Sequence, residues 1–208
     1  MMKMGDYLLE IEYATSSLIA TIWKERERLR SLETEVASLT KRAEDNYRRA
    51  EFVATNAEDP DDVAMATGMY WENYFGDDKE RYYKDKDREK LIEEIAAHAF
   101  SVGSIAGSLL QYAKQGISLC HGGLAACPNG RGFGSQFLKD IIWQGRNQTM
   151  HWEEGHLSSQ VRQCFEKLAN EINTSFADYQ NRNVAVDLID LLGWVDFAKF
   201  RDDMLLLA

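Results

Sequence analysis

One short segment of the chain combines side chains that could cleave a phosphodiester without a metal ion. Arg146, Asn147 and His151 fall within six residues. A guanidinium grips phosphate through two parallel hydrogen bonds and stays charged, whereas an imidazole titrates near neutral pH and can accept or donate a proton. RNA cleavage needs a base at the 2′-hydroxyl, a donor for the leaving oxygen and a cation on the phosphorane. The segment therefore predicts a catalytic site in which Arg146 binds phosphate, His151 moves protons and Asn147 orients the imidazole or donates to phosphate.

The spacing of these residues predicts how they lie on a helix. Asn147 and His151 are four residues apart and share a helix face, while Arg146 lies on its flank. One chain supplies one imidazole in this motif, although cleavage needs both a base and an acid. Two copies of the motif facing each other would supply both groups, so the pattern predicts a composite site across a homodimer.

The segment Arg146-Asn147-x-x-x-His151 resembles the signature of the HEPN superfamily, the higher eukaryotes and prokaryotes nucleotide-binding domain. Ribonuclease members of that superfamily carry Arg, four to six residues and then His, often with Asn or another polar residue directly after the Arg. The resemblance implies an all-α HEPN-like bundle and a metal-independent endoribonuclease without a cofactor. It also implies a composite active site across a homodimer, an RNA substrate, a toxin or phage-defence role, and a protein antitoxin or regulatory partner.

The sequence departs from one HEPN subclass at the residue two positions after His151. HEPN toxins that are paired with a nucleotidyltransferase antitoxin carry Tyr there, whereas this chain has Glu153. Regulation by modification of that Tyr is therefore not expected. Control would instead come from a partner or from packing of the first helix.

The N-terminal segment shows the clearest structural pattern. Apolar residues at alternating spacings of three and four form one seam, with no Pro or Gly between Asp6 and Asp59. This heptad repeat predicts a long helix that packs against another long helix of the same chain or of a second copy. The seam residues are Leu8, Ile11, Thr15, Leu18, Ile22, Glu25, Leu29, Leu32, Val36, Leu39, Ala43, Asn46, Ala50 and Val53.

The rest of the chain also favours helices, because it has 2 prolines and no convincing alternation of period two. Small residues at Gly103, Ala106 and Gly107 predict the close approach of another helix. The predicted elements are a loop at 56–62, an aromatic helix at 63–75, an exposed turn at 77–90 that leads into a helix, a mostly buried helix at 91–117, a loop at 121–134, a helix capped by Ser135, a helix at 157–179, and C-terminal helices at 188–207 broken at Gly193. The expected fold is a single all-α helical bundle over 1–208, with a long helical arm at 1–55 and the remaining bundle helices at 63–208, including the motif at 146–151.

Charge and composition restrict the partners and the compartment. The net charge of −10 over 208 residues disfavours indiscriminate nucleic-acid binding. The acidic excess is concentrated in residues 56–87, with 4 basic and 10 acidic side chains, whereas residues 117–162 carry 4 basic and 3 acidic ones. Arg131 and Lys139 are therefore predicted to help bind substrate near the motif. The N-terminal Asp and Glu residues and the absence of a long apolar run predict a cytoplasmic protein without membrane contact.

Metal and nucleotide sites are not predicted. The chain has three cysteines, and no two of them form a CxxC pair. We therefore interpret Cys120, Cys127 and Cys164 as buried thiols rather than as zinc ligands. The glycine-rich stretch Gly130–Gly134 lacks a preceding strand and a Walker Lys, which favours a plain loop over a phosphate loop. A nucleotide- or metal-binding bundle is the weakest interpretation. The main alternative to a ribonuclease is a non-catalytic helical scaffold that binds a protein partner.

Overall fold

A computed structural model describes residues 2–56, 64, 67–68, 71 and 78–208. These residues are mostly helical, which confirms the prediction of an all-α bundle. The helices are α1 (Met4–Thr55), α2 (Asp78–His121), α3 (Leu138–His151), α4 (Ser159–Glu171), α5 (Ala185–Leu192) and α6 (Phe197–Leu205). The loop predicted at 56–62 lies outside the described residues except for residue 56, and the aromatic helix predicted at 63–75 lies outside them except for isolated positions.

The chain divides into two compact units. One unit comprises Met1–Arg26 and Ala99–Ala208, and the other comprises Glu27–His98. The predicted arm at 1–55 therefore contributes its first half to the unit that contains residues 146–151. None of the described helices is both long enough and apolar enough to cross a membrane.

The heptad seam is the more buried face of α1. Leu8, Ile11 and Ile22 are buried in the first unit. Thr15, a polar residue at a seam position, is also buried, and its Oγ1 donates to the carbonyl of Ile11 at 2.9 Å. Within the second unit, seam positions remain partly buried while their neighbours on α1 are mostly exposed, as seen at Leu29, Leu32, Val36 and Leu39. The periodicity in the sequence therefore identifies the packed face of this helix.

The core of the first unit is built from aliphatic and aromatic side chains of every helix in it. Phe165 stacks on Tyr179 with ring centroids 5.3 Å apart, and Trp194 meets Phe200 edge-to-face at 4.8 Å. Trp23 on α1 donates from its indole nitrogen to the carbonyl of Trp194 at 3.0 Å. These contacts hold the N-terminal half of α1 against the C-terminal helices.

Small residues bring α2 and α3 together as predicted. A Cβ at Gly107 would overlap the Cγ2 methyl of Thr149, so only glycine permits this approach. On another face of α3, a Cβ at Gly145 would overlap the Cδ1 methyl of Leu188. The motif helix is thus fixed on two sides by contacts that leave no room for a larger residue.

Several predicted boundaries are wrong. The segment 77–90, predicted as an exposed turn that leads into a helix, is already helical from Asp78 onward. Ser135 does not cap α3, which begins at Leu138, because its backbone N–H and its Oγ both donate to the carboxylate of Glu171. The stretch 121–134 is not a plain loop throughout, since β1 (Gly132–Phe133) pairs antiparallel with β2 (Gln136–Phe137) around Gly134 at φ +59°.

The C-terminal helices also differ in part from the prediction. The helix predicted at 157–179 ends at Glu171 and is followed by a 3-10 turn, Thr174–Asp178. Asn173 starts that turn by accepting from the backbone N–H of Ser175 at 2.9 Å. The predicted break at Gly193 is confirmed, because this residue ends α5 in the left-handed conformation with φ +66°.

Candidate functional site

The motif lies on the last turns of α3, and the periodicity of that helix decides which side chains are available. Ile141, Ile142, Gly145 and Gln148 are buried. Residues on the opposite flank are half-buried or exposed, and they include Arg146, Asn147, Met150 and His151. The chemistry-bearing side chains therefore emerge from the packed helix at its C-terminal end.

Gln148 fastens this end of α3 to the loop before α5. Its side-chain nitrogen donates to the carbonyls of Tyr179 and Arg182, both at 2.7 Å, and its oxygen accepts from the N–H of Val184 at 3.3 Å. The residue is fully buried and all its polar atoms have partners. Sequence reasoning missed this role, although a polar residue on the apolar face of α3 was a visible signal for it.

Arg146 is held by a neutral side chain. Its Nε donates to Gln111 Oε1 on α2 at 2.5 Å, and its Nη1 approaches Asn147 Oδ1 at 3.4 Å. If the motif were an ordinary helix end without catalytic function, Arg146 would be expected to pair with Glu153 or Glu154, which follow it closely along the chain. Among the described residues, however, no carboxylate lies within ion-pair distance of its guanidinium. The charge of Arg146 therefore remains available to an anion.

His151 is exposed and has a carboxylate partner. Its Nδ1 lies 2.8 Å from Glu154 Oε1, one helical turn further along the chain. If Nδ1 carries the proton, this hydrogen bond leaves the lone pair of Nε2 directed away from Glu154 and able to accept a proton. The carboxylate thus orients the ring, a role that sequence reasoning had assigned to Asn147.

Asn147 has a more limited position than expected. It is half-buried, and in the hydrogen bond that the structure shows for its side chain, Oδ1 accepts from Nη1 of Arg146. In the described part of the chain no hydrogen bond joins it to His151. The amide can still donate to a phosphate bound at Arg146, which was the second role predicted for it.

A groove borders Arg146 on the surface of the first unit. We call it the α2–α3 groove; it has a volume of about 830 Å³, and its walls include Leu18 of α1, Phe100 and Gln111 of α2, and Arg146 and Met150 of α3. All of its lining residues belong to this one unit. Arg146 and Glu153 are its charged lining residues, and His151 does not line it. Phe100, which the sequence placed in a buried helix, is 68% exposed at this groove.

Arg131 and Lys139, the two residues predicted to bind substrate, have intramolecular partners instead. Arg131 donates from Nε and Nη2 to the two carboxylate oxygens of Asp203, at 2.7 and 2.8 Å. Lys139 Nζ donates to the carbonyl of Cys127 at 2.8 Å. Neither residue lines the α2–α3 groove. The structure therefore does not bring them together with Arg146.

The three cysteines are free and buried. Burial raises the pKa of the Cys127 thiol to about 11 and that of Cys164 to about 12, so both are protonated at neutral pH. Within the described ranges, no group of three or more His, Cys, Asp or Glu side chains is arranged to hold a metal ion.

Compared with family models, with curated proteins and with solved structures, the chain has no significant match. The candidate site is therefore argued from its own residues: an arginine with an amide partner at the α2–α3 groove, and an exposed imidazole with a carboxylate partner on the same helix end.

Proposed function

We propose that this chain is a metal-independent endoribonuclease of the HEPN type whose active site is completed in a homodimer. The observation that carries the proposal is the position of two side chains at one end of α3. Arg146 lines the α2–α3 groove, and no described carboxylate lies within ion-pair distance of its guanidinium, although Glu153 also lines the groove. His151, five residues further along the same helix, is exposed, and its ring is oriented by Glu154.

Arg146 would bind the scissile phosphate and stabilise the phosphorane. Gln111 accepts from Nε of Arg146 and Asn147 accepts from its Nη1, so these two contacts hold the guanidinium in one orientation at the groove. A phosphate gains charge in the transition state, and a preoriented cation stabilises that charge more than it stabilises the ground state. Asn147 would donate its amide N–H to the same phosphate.

His151 would accept the proton of the 2′-hydroxyl at Nε2. The 2′-oxygen then attacks phosphorus, and the bond from phosphorus to the 5′-oxygen breaks. The His151 of the second copy would protonate the departing 5′-oxygen. The products are a 2′,3′-cyclic phosphate and a 5′-hydroxyl, and the two imidazoles exchange protonation states in each turnover.

Two exposed apolar side chains on α1 offer a surface for a homodimer. Leu9 and Tyr13 are four residues apart on one face of α1, and they are 74% and 87% exposed. Neighbouring apolar side chains with this exposure suit a surface that a second molecule covers. The proposed composite site requires that the second copy bring its own Arg146 and His151 to the first motif.

The test is cleavage of a single-stranded RNA in the presence of a chelator. We expect products with 2′,3′-cyclic phosphate ends, and we expect His151→Ala to abolish them. His156→Ala is the matched control, since His156 is an exposed histidine five residues further along the chain with no place in the motif. Cleavage that survives both His151→Ala and Arg146→Gln would refute the proposal.

The biological setting follows from the resemblance and is proposed with it. The protein would act in the cytoplasm as a toxin or phage-defence effector, and an antitoxin or regulatory protein would hold it inactive. The exposed pair Leu9 and Tyr13 also favours a second candidate function, a helical scaffold that binds a protein through α1. That function predicts no RNA turnover, and it predicts that substitutions at Arg146 and His151 leave partner binding unchanged.

A further inference from the structure

The α2–α3 groove is larger than a phosphate requires. Its volume of about 830 Å³ is within the usual range for a small organic ligand, about 300–1,000 Å³. Arg146 occupies one wall, and the rest of the lining is apolar, hydroxyl or amide in character apart from Glu153. A ligand that fills the groove must therefore carry an uncharged, flat or apolar part next to its anionic group.

The apolar walls offer surfaces for stacking. Trp152 is half-buried at the groove, and Phe100 and Met150 are 68% and 50% exposed there. Large apolar side chains grouped around a groove indicate a binding surface, because water solvates them poorly. Aromatic side chains in such positions stack on nucleobases of any sequence.

The polar part of the lining can recognise the edge of a base. Gln115 contributes an amide group that both donates and accepts. Asn183 contributes an amide whose Oδ1 already accepts from the N–H of Ala185 at 2.9 Å, and Ser104 and Ser108 contribute hydroxyls. Ser104 and Ser108 each donate to a carbonyl one turn earlier on α2, which leaves their oxygen lone pairs as acceptors. An apolar subunit interface would leave the amide of Gln115 and the amide N–H groups of Asn183 without partners, whereas a base edge provides them.

We propose that the α2–α3 groove binds one unpaired nucleobase next to the phosphate held by Arg146, so that the substrate is single-stranded RNA. This inference rests on the proposed ribonuclease function and adds a base subsite to it. A base in a duplex has both faces stacked and its pairing edge occupied, so it cannot enter the groove. The unpaired base must turn away from the strand, with its face toward Trp152 and its edge toward the amides.

The experiment compares two short oligomers of equal length and charge, an oligodeoxyadenylate and an oligomer of abasic deoxyribose phosphate. Both lack the 2′-hydroxyl and cannot be cleaved by the proposed chemistry, so binding is measured without turnover. We expect the base-bearing oligomer to bind roughly 10-fold tighter or more in a fluorescence anisotropy titration, which is the range for one stacked base.

Three variants distinguish the base subsite from the phosphate site. Trp152→Ala should remove the preference for the base-bearing oligomer while leaving the affinity for the abasic one unchanged. Arg146→Gln should weaken both oligomers. Phe137→Ala is the matched control, because Phe137 is an exposed aromatic residue outside the groove. This control should alter neither affinity.

Equal binding of both oligomers to the unmodified protein would overturn the base subsite, and so would a preference that persists in Trp152→Ala. If RNA is still cleaved in either case, the ribonuclease function stands and only the subsite fails. Absence of both oligomer binding and RNA cleavage would refute the subsite together with the ribonuclease. A drop in oligomeric state caused by Trp152→Ala would instead assign the groove to a second copy of the chain, and would also overturn the proposal.

Discussion

Two arginines of the same unit, Arg131 and Arg146, have opposite surroundings. Arg131 donates to both carboxylate oxygens of Asp203 and to the carbonyl of Leu192, and its guanidinium lies 4.4 Å from the ring centroid of Phe133. Arg146 donates from Nε to the amide oxygen of Gln111. The first charge is neutralised inside the protein, whereas the second remains available at a groove. The partner of an arginine, rather than the arginine itself, therefore separates a structural cation from a binding cation.

The carboxylate of Asp203 explains why the loss of Arg131 would destabilise the fold. Asp203 is 6% exposed, and it also accepts from the indole nitrogen of Trp194 at 2.8 Å. A buried carboxylate is tolerated only when cations and donors satisfy it. Arg131 thus connects the hairpin that precedes α3 to the C-terminal helix α6. Gln111 is neutral, so the loss of Arg146 would leave no buried charge behind.

The largest expected effect is on catalysis at Arg146. The change Arg146→Gln removes the cation from the proposed phosphate site, and we expect RNA cleavage to fall by about 100-fold or more. The melting temperature should stay close to that of the unmodified protein, because Gln111 and Asn147 can hydrogen-bond to the new amide. Cleavage rates and thermal unfolding measured on the same preparation check both statements. A variant with full activity would contradict the contrast between the two arginines.

The next effect is on stability at Arg131. The change Arg131→Gln leaves Asp203 buried without its cation, and we expect the free energy of unfolding to fall by about 2–3 kcal/mol. Urea unfolding followed by circular dichroism measures this change, and Asp203→Asn provides the reciprocal variant. Under conditions in which Arg131→Gln is fully folded, its cleavage rate should match that of the unmodified protein. A loss of cleavage in the folded variant would restore the substrate-binding role predicted from the sequence.

A smaller effect is expected at Glu154, which orients the imidazole of His151. Removing a carboxylate that fixes a histidine typically costs about 10-fold in activity, so Glu154→Gln should lower the cleavage rate by roughly that factor. Glu166→Gln removes an exposed carboxylate of α4 that lies outside the groove and serves as the control. A cleavage rate unchanged in Glu154→Gln would remove Glu154 from the proposed mechanism.

The smallest effect concerns the hairpin that follows Arg131. Hydrogen bonds from the backbone N–H and the Oγ of Ser135 lower the pKa of Glu171 below its ordinary value. A carboxyl whose pKa is lowered by folding stabilises the fold above its ordinary pKa, and this stabilisation disappears as the pH falls through the lowered value. Ser135→Ala should therefore be slightly less stable than the unmodified protein at pH 7. The difference should vanish in acid, and urea midpoints at both pH values test this. A difference that persists in acid would show that Ser135 acts by some route other than Glu171.

Much of the fold follows from local patterns. The heptad seam identified the buried face of α1, since burial repeats with the helical period whatever the partner is. Gly107 indicated the close approach of another helix, because glycine destabilises a helix interior and is usually found there where a neighbouring helix leaves no room for a side chain. The start of α3 was predicted wrongly at Ser135. Serine is a common N-cap residue, but the N–H and Oγ of Ser135 both donate to Glu171, 36 residues away.

The candidate site could be predicted only in part. The sequence located Arg146 and His151 on one helix end, but it did not indicate that Glu154 would orient the ring of His151. It could not identify Gln111, which lies 35 residues from Arg146 and meets it only because Gly107 lets α2 approach α3. It assigned Phe100 to the interior, since hydrophobicity does not reveal which side of a helix remains uncovered.

The sequence by itself therefore determined the helices, the seam and the presence of an arginine and a histidine on the same helix end. Those features depend on residues within a few turns of one another, where spacing dictates geometry. Only the tertiary structure decided which arginine remains available to an anion. Arg131 meets Asp203 across 72 residues and Arg146 meets Gln111 across 35, and no local pattern records such pairings. The net charge of −10 belongs to the whole chain, but the charge that a phosphate would encounter depends on these two contacts.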